Sequence, residues 1–192
     1  MPGSVTVQLV GVEARGESGN VTPVISMTFA PAWFNDALRE TETNRDARRR
    51  EIVFAVACVE SYLFEWVRDS VVRGDLAALA KYFPFDRKLG IRDRWPAVVK
   101  ELRDDGRIAT TQNLGGTIWA NFRNLVDYRD GVLHAKASRS DVAGSPSNEK
   151  PMPTMHTFEQ MTPGEAAEIV RALILDLHDA TGTTPPSWLA PN

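Results

Sequence analysis

Apolar residues recur along most of this chain at three- and four-residue steps, the spacing of an amphipathic helix, and the stretch before Pro31 departs from that pattern. There Val5, Val7, Leu9 and Gly11 alternate with Thr6, Gln8, Val10 and Val12. A second β-rich run, Val21 to Phe29, follows the turn cluster Gly16-Glu17-Ser18-Gly19-Asn20. The pattern predicts an N-terminal β-hairpin, with Pro23 marking an edge strand and Pro31 ending it. Two strands are marginal alone, so the hairpin is expected to pack on the remainder or pair with another chain.

Helical spacing begins near Ala32. Its strongest run is Ala47 to Val72, where Ile52, Val56, Val59, Leu63 and Trp66 form a stripe that Val53, Phe64 and Val67 widen. Gly74 stops this helix. Asp75 is placed to cap a short helix through Lys81, and Asp93 another that carries Pro96 near its first turn. A further long helix is expected from Thr117 to about Ala137, followed by a loop, Ser138 to Thr154, rich in Ser, Pro, Gly and Asn. Thr162-Pro163-Gly164-Glu165 matches a capping box with proline at the first helical position. The helix it opens should reach about Ala180, where Gly182 and then Pro185-Pro186 end it. The sum is a mainly α fold: an antiparallel helical bundle over residues 32–192, with a β-hairpin extension over 1–31.

Composition narrows the function classes. The 192 residues suit one domain with a substantial core. A formal charge of −3 and a pI near 5.7 argue against a strongly basic nucleic-acid binder, while leaving room for a local basic patch. Cys58 is the one cysteine, which precludes an internal disulfide, and its apolar surroundings from Val53 to Val59 suggest a small buried hydrophobe. No signal-peptide pattern opens the chain and no apolar run reaches the length of a membrane span, so a cytoplasmic location is expected. His156 and His178 are far apart, no Cys/His/Asp cluster shows ligand spacing, and Gly115-Gly116 lacks the rest of a nucleotide fingerprint. Neither metal nor cofactor is expected.

The informative charges are those on apolar faces. Arg129 lies in the stripe of Ile118, Phe122, Leu125, Val132 and Leu133, and a guanidinium there needs a partner or a cleft. Glu60 falls inside the apolar arc of the Ala47–Val72 run and is the natural partner. The pair is either a salt bridge that fixes helix register or the scaffold of a site. His134 adds a titratable group on the face of Asp130, Asp127 and Arg123. An ideal helix separates it from Arg129 by about 140°. A shared site therefore needs the reach of Arg129, a distortion near Gly131, or a second subunit.

The segment from Asn121 to Ala135, with Arg129, Asp130 and His134 in order, resembles the late helix of HEPN domains, which carries arginine, a polar residue and then histidine after a short gap. Arg171 and His178 satisfy a looser gap but place Ala172 after the arginine. The run Glu51 to Val67 containing Glu60 looks like the family's first long helix, and the helix from Thr162 with its Pro185-Pro186-Ser187-Trp188-Leu189 tail is similar to the terminal helix of several members. For active members the resemblance implies metal-independent RNA cleavage by the ribose 2′-hydroxyl, leaving a 2′,3′-cyclic phosphate. In that reading His134 transfers protons, Arg129 holds the phosphate, Asp130 orients the histidine or substrate and Glu60 supports Arg129. Arg45, Arg48, Arg49 and Arg50 are candidate contacts to the RNA backbone, or simply a solvated helix start.

One suitable histidine per chain favours a homodimer with a composite site. The resemblance carries two functional alternatives, an endoribonuclease acting as a toxin or defence effector and a silent module. The former implies an antitoxin partner. The silent module would bind RNA, a nucleotide, a nucleotidyltransferase or its own copy. A third alternative is a helical protein in which the Arg129–Glu60 pair is merely structural.

Overall fold

The computed structural model describes residues 29–72, 90–109, 114, 116–133 and 161–190. Among them are five α-helices: α1 (Ala30–Arg39), α2 (Arg45–Val72), α3 (Ile91–Asp104), α4 (Thr117–Leu133) and α5 (Glu165–Thr181), with a closing 3-10 turn at Ser187–Leu189. The expected hairpin, the Asp75–Lys81 helix and the Ser138–Thr154 loop lie outside the described residues. No described helix is long and apolar enough to cross a membrane.

Pro31 falls in the first turn of the first described helix, close to the start expected near Ala32. Helix α1 starts at Ala30, because a proline in the first turn has no helical N–H to lose and its fixed φ suits the helix. The free N–H groups of that first turn are met from α2: Phe29 and Ala30 donate to Glu65 Oε1 at 2.6 and 3.4 Å. Ala30, Phe34 and Ala37 recur at helical steps and form its buried face. Trp33 stacks on Phe54 of α2 with ring centroids 5.8 Å apart.

Asn44 opens α2, its Oδ1 accepting the Ala47 N–H at 2.8 Å. At 28 residues α2 spans about 42 Å and is the axis on which α1, α4 and α5 pack. Its buried apolar residues are Ala47, Ile52, Ala55, Val56, Cys58, Val59, Tyr62, Leu63 and Val67, an arc wide enough to serve several neighbours. Phe64, expected to widen that arc, is instead exposed and lies under the Arg68 guanidinium at 5.9 Å.

Asp93 was the expected cap of α3, but the helix begins two residues earlier, with extended Gly90 as N-cap and Asp93 inside the first turn. Pro96 is exposed on α3, so no side chain is displaced from the core by its ring. Gly106 ends the helix at φ +71°, a conformation that favours glycine, while Arg107 N–H reaches back to Leu102 O at 2.8 Å.

The capping box before α5 is only half formed. Thr162 N–H and Oγ1 both donate to Glu165 Oε2, at 3.0 and 3.1 Å, but Pro163 precedes the helix and Gly164 at φ +88° is the N-cap. The acceptor for Ala166 N–H is Glu51 Oε1 of α2 at 2.9 Å. Glu51 is held in turn by Arg48, and both are buried.

Contacts near the start of both α2 and α5 (Glu51 to Ala166) and further along both (Tyr62 to His178) show that these helices run parallel. The bundle is therefore not antiparallel throughout. Helices α1 and α2 are antiparallel, since Phe29 meets Glu65 while Glu40 meets Arg50.

Candidate functional site

Where α2, α3 and α4 approach one another, charged side chains form a continuous chain. Phe122, Leu125 and Val126 turn α4 inward, and Arg129 falls on the same side one turn later. It is 16% exposed. Its Nη2 donates to Glu60 Oε1 at 3.0 Å and its Nε to Asp130 Oδ1 at 2.8 Å. Burial works against the guanidinium charge, but the Glu60 carboxylate and then Asp130 more than offset it, holding Arg129 above its ordinary value. The expected meeting of Arg129 with Glu60 is thus present, with a second acid on the same fork.

Asp130 offers its other oxygen to Arg92 of α3, Nη2 to Oδ2 at 3.5 Å, and the same nitrogen contacts Asp127. Sequence reasoning missed Arg92. It sits beside Ile91 at the edge of the α3 stripe, and no pattern within one helix reveals which face of α4 it will meet. The face it meets carries Asp127 and Asp130, the face to which helical spacing also assigns His134. His134 itself lies outside the described residues.

Two guanidiniums alternating with three carboxylates give each charge an opposite neighbour, and the cluster keeps a formal excess of negative charge. Half-exposed groups at its edge remain open to solvent: Arg92 and Asp130 are each 40% exposed. Such a cluster can orient a guanidinium fork and present it to an anion that displaces one of the acids.

The proposed basic start of α2 does not act as a unit. Arg48 is 1% exposed and turned inward. It donates to Glu42 O at 2.6 Å, Thr162 O at 3.3 Å, Glu40 O and Glu51, so it belongs to the core and not to an RNA-facing patch. The reason is local. Asn44 and the carbonyls of Glu40 and Glu42 cluster at the α1–α2 link, and a long cation is the group that satisfies several carbonyls at once. Arg50 makes a two-pronged contact with Glu40, both arms at 2.9 Å, and Arg49 reaches Asp46 at 3.3 Å. Arg45 is exposed.

Among the described residues, no group of three or more His, Cys, Asp or Glu is placed to hold a metal ion. Cys58 is buried, and burial pushes its thiol well above the usual range, which suits the packing role expected of it. His178, the looser match, is buried at 4% exposure and bonded on both ring nitrogens. Comparisons with family profiles, with curated proteins and with solved structures gave no match to this chain.

Proposed function

We propose that this chain is a metal-independent endoribonuclease of the HEPN type, a toxin or defence effector that works in the cytoplasm. The observation that carries the reading is the anchoring of Arg129. It is the arginine of the Arg129-Asp130-x3-His134 segment, and it is held at the α2–α4 seam by Glu60 and Asp130. A fork held from both sides loses little freedom when it takes a phosphate oxygen, which is the preorganisation an electrostatic catalyst requires.

The step is an intramolecular displacement. The ribose O2′ forms a bond to phosphorus as a histidine takes its proton, and the bond from phosphorus to O5′ breaks as a second group protonates the leaving oxygen. Arg129 stabilises the charge on the non-bridging oxygens, and Asp130, bridged by Arg92, orients the segment. Base and acid stand on opposite sides of the phosphate, so two copies of His134 from a homodimer complete the site.

The test is incubation of purified chain with end-labelled RNA in EDTA. Expected are fragments with 2′,3′-cyclic phosphate and 5′-hydroxyl ends, absent with His134→Ala. Intact RNA with the wild-type chain, or undiminished cutting by His134→Ala, refutes the proposal. Mixing Arg129→Ala with His134→Ala chains should restore partial cutting if the site is shared across subunits.

A second reading is favoured by one specific observation: Arg129 has two carboxylate partners, and the cluster carries excess negative charge, which opposes phosphate binding. In that reading the pair is structural and the domain is a silent module docking a protein partner such as a nucleotidyltransferase or its own copy. RNA that is neither bound nor cut by a well-folded dimer selects it.

A further inference from the structure

At the far end of α5 a chain of hydrogen bonds runs from exposed Thr183 inward to buried His178 and Tyr62. Thr181 Oγ1 donates to Leu177 O at 2.8 Å, which uses its only proton. Thr183 Oγ1, 2.8 Å away, must then donate to Thr181. Having spent its own proton, Thr183 accepts from His178 Nδ1 at 2.7 Å. The neutral imidazole therefore carries its proton on Nδ1, and Nε2 accepts from the Tyr62 hydroxyl at 2.5 Å. In this arrangement the neutral ring accepts the Tyr62 hydroxyl at Nε2, an acceptor that a second ring proton would remove.

This line ties a strap to the bundle. Gly182, at φ +64°, ends α5, and Thr183 N–H caps it by donating to His178 O at 3.0 Å. The chain then runs through Pro185-Pro186 to Trp188, which packs on Phe34 of α1 and Tyr62 of α2 with centroids 5.3 and 6.3 Å away, and to buried Leu189. Strap, α1 and α2 thus meet at the relay.

A second proton on His178 would sit on Nε2 and face the Tyr62 hydroxyl, whose own hydrogen would lose its acceptor. Tyr62 is buried and makes no other hydrogen bond among the described residues. From α2 the titratable groups on this side are Tyr62, then Cys58 and Glu65, which act on Tyr62. On α5 Asp179 adjoins the ring. The strap contributes uncharged Thr183 and Trp188, and α1 contributes Phe34. Burial lowers the affinity of His178 for a proton, and Thr183 and Asp179 only partly restore it.

We propose that the Tyr62–His178–Thr183 relay is an acid-sensitive latch: it holds the Thr183–Leu189 strap on the bundle while His178 is neutral and releases it when the ring becomes a cation. The sign follows from linkage. The open form binds the proton more readily, so the latch is fully closed above the free-histidine value of about 6.5 and loosens as pH falls below it. One proton per opening limits the effect to about tenfold in the open-to-closed ratio per pH unit.

The test is amide hydrogen exchange on the full chain from pH 8 to 5, expressed as protection factors, with the His178 ring carbon resonance followed alongside. Protection at Leu189 and Ala190 should fall up to tenfold per unit as pH drops below about 6.5, while α3 amides keep theirs. His178→Asn keeps a donor toward Thr183 without a titrating ring, and its strap should show a flat profile. A wild-type strap whose protection ignores pH below about 6.5, a pH-dependent loss that persists unchanged in His178→Asn, or simultaneous loss in strap and α3 overturns the proposal. The wild-type profile decides the matter even if the variant does not fold.

Discussion

Replacing Arg48 with methionine isolates the most demanding interaction in the fold. Arg48 and Glu51 are each 1% exposed, and the guanidinium also satisfies Glu42 O, Glu40 O and Thr162 O. Methionine fills part of the volume but leaves the Glu51 carboxylate without its counter-charge and takes the guanidinium donors from the Glu40 and Glu42 carbonyls, while Thr162 O keeps the Glu165 N–H. Breaking a buried pair from one side costs about 3–5 kcal/mol, chiefly because the surviving charge is stranded. For a chain of this length that lowers the melting temperature by roughly 10 °C or more. Glu51→Gln should cost less, since an amide oxygen can still accept from Ala166 N–H. The double variant Arg48→Met/Glu51→Gln should be more stable than the sum of the single losses predicts, because it removes the stranded charge. Urea unfolding of all four proteins supplies the cycle. A loss below about 1 kcal/mol for Arg48→Met, or strictly additive losses, would refute the claim that this pair joins the α1–α2 link to the start of α5.

Three further outcomes are expected. A double-mutant cycle of Glu60→Gln and Arg129→Leu should give a coupling of about 1 kcal/mol, as suits a partly exposed pair; zero coupling would mean Arg129 depends on Asp130 alone. Glu65→Leu removes the acceptor for the first N–H groups of α1 and should cost about 1 kcal/mol, with amide exchange rising at Ala30 before it rises in α2. The Cys58 thiol should resist a disulfide reagent at pH 8 in native buffer and react fully in denaturant, and rapid native labelling would contradict its burial.

Periodicity within single helices was enough to predict the long elements. The run ending at Val72, the helix from Thr117 and the terminal helix closed by Gly182 all stand within a few residues of where spacing and end signals put them. The pairing of Arg129 with Glu60 was legible too, because a charge on an apolar stripe must find a partner, and one acid was similarly misplaced. What failed were inferences about which face meets which neighbour. Arg48 read as one of a basic cluster at the helix start, and became a buried clamp because the α1–α2 link folds the Glu40 and Glu42 carbonyls back onto it beside Glu51, and Thr162 O reaches it from a distant segment. Phe64 read as core and lies outside, Arg92 went unnoticed, and α5 runs parallel to α2. A helix announces its own apolar face through a local repeat of 3.6 residues, whereas the choice of partner is made by long-range packing. The desolvation of each charge then depends on atoms that are more than a hundred residues away in the case of Glu51 and Ala166.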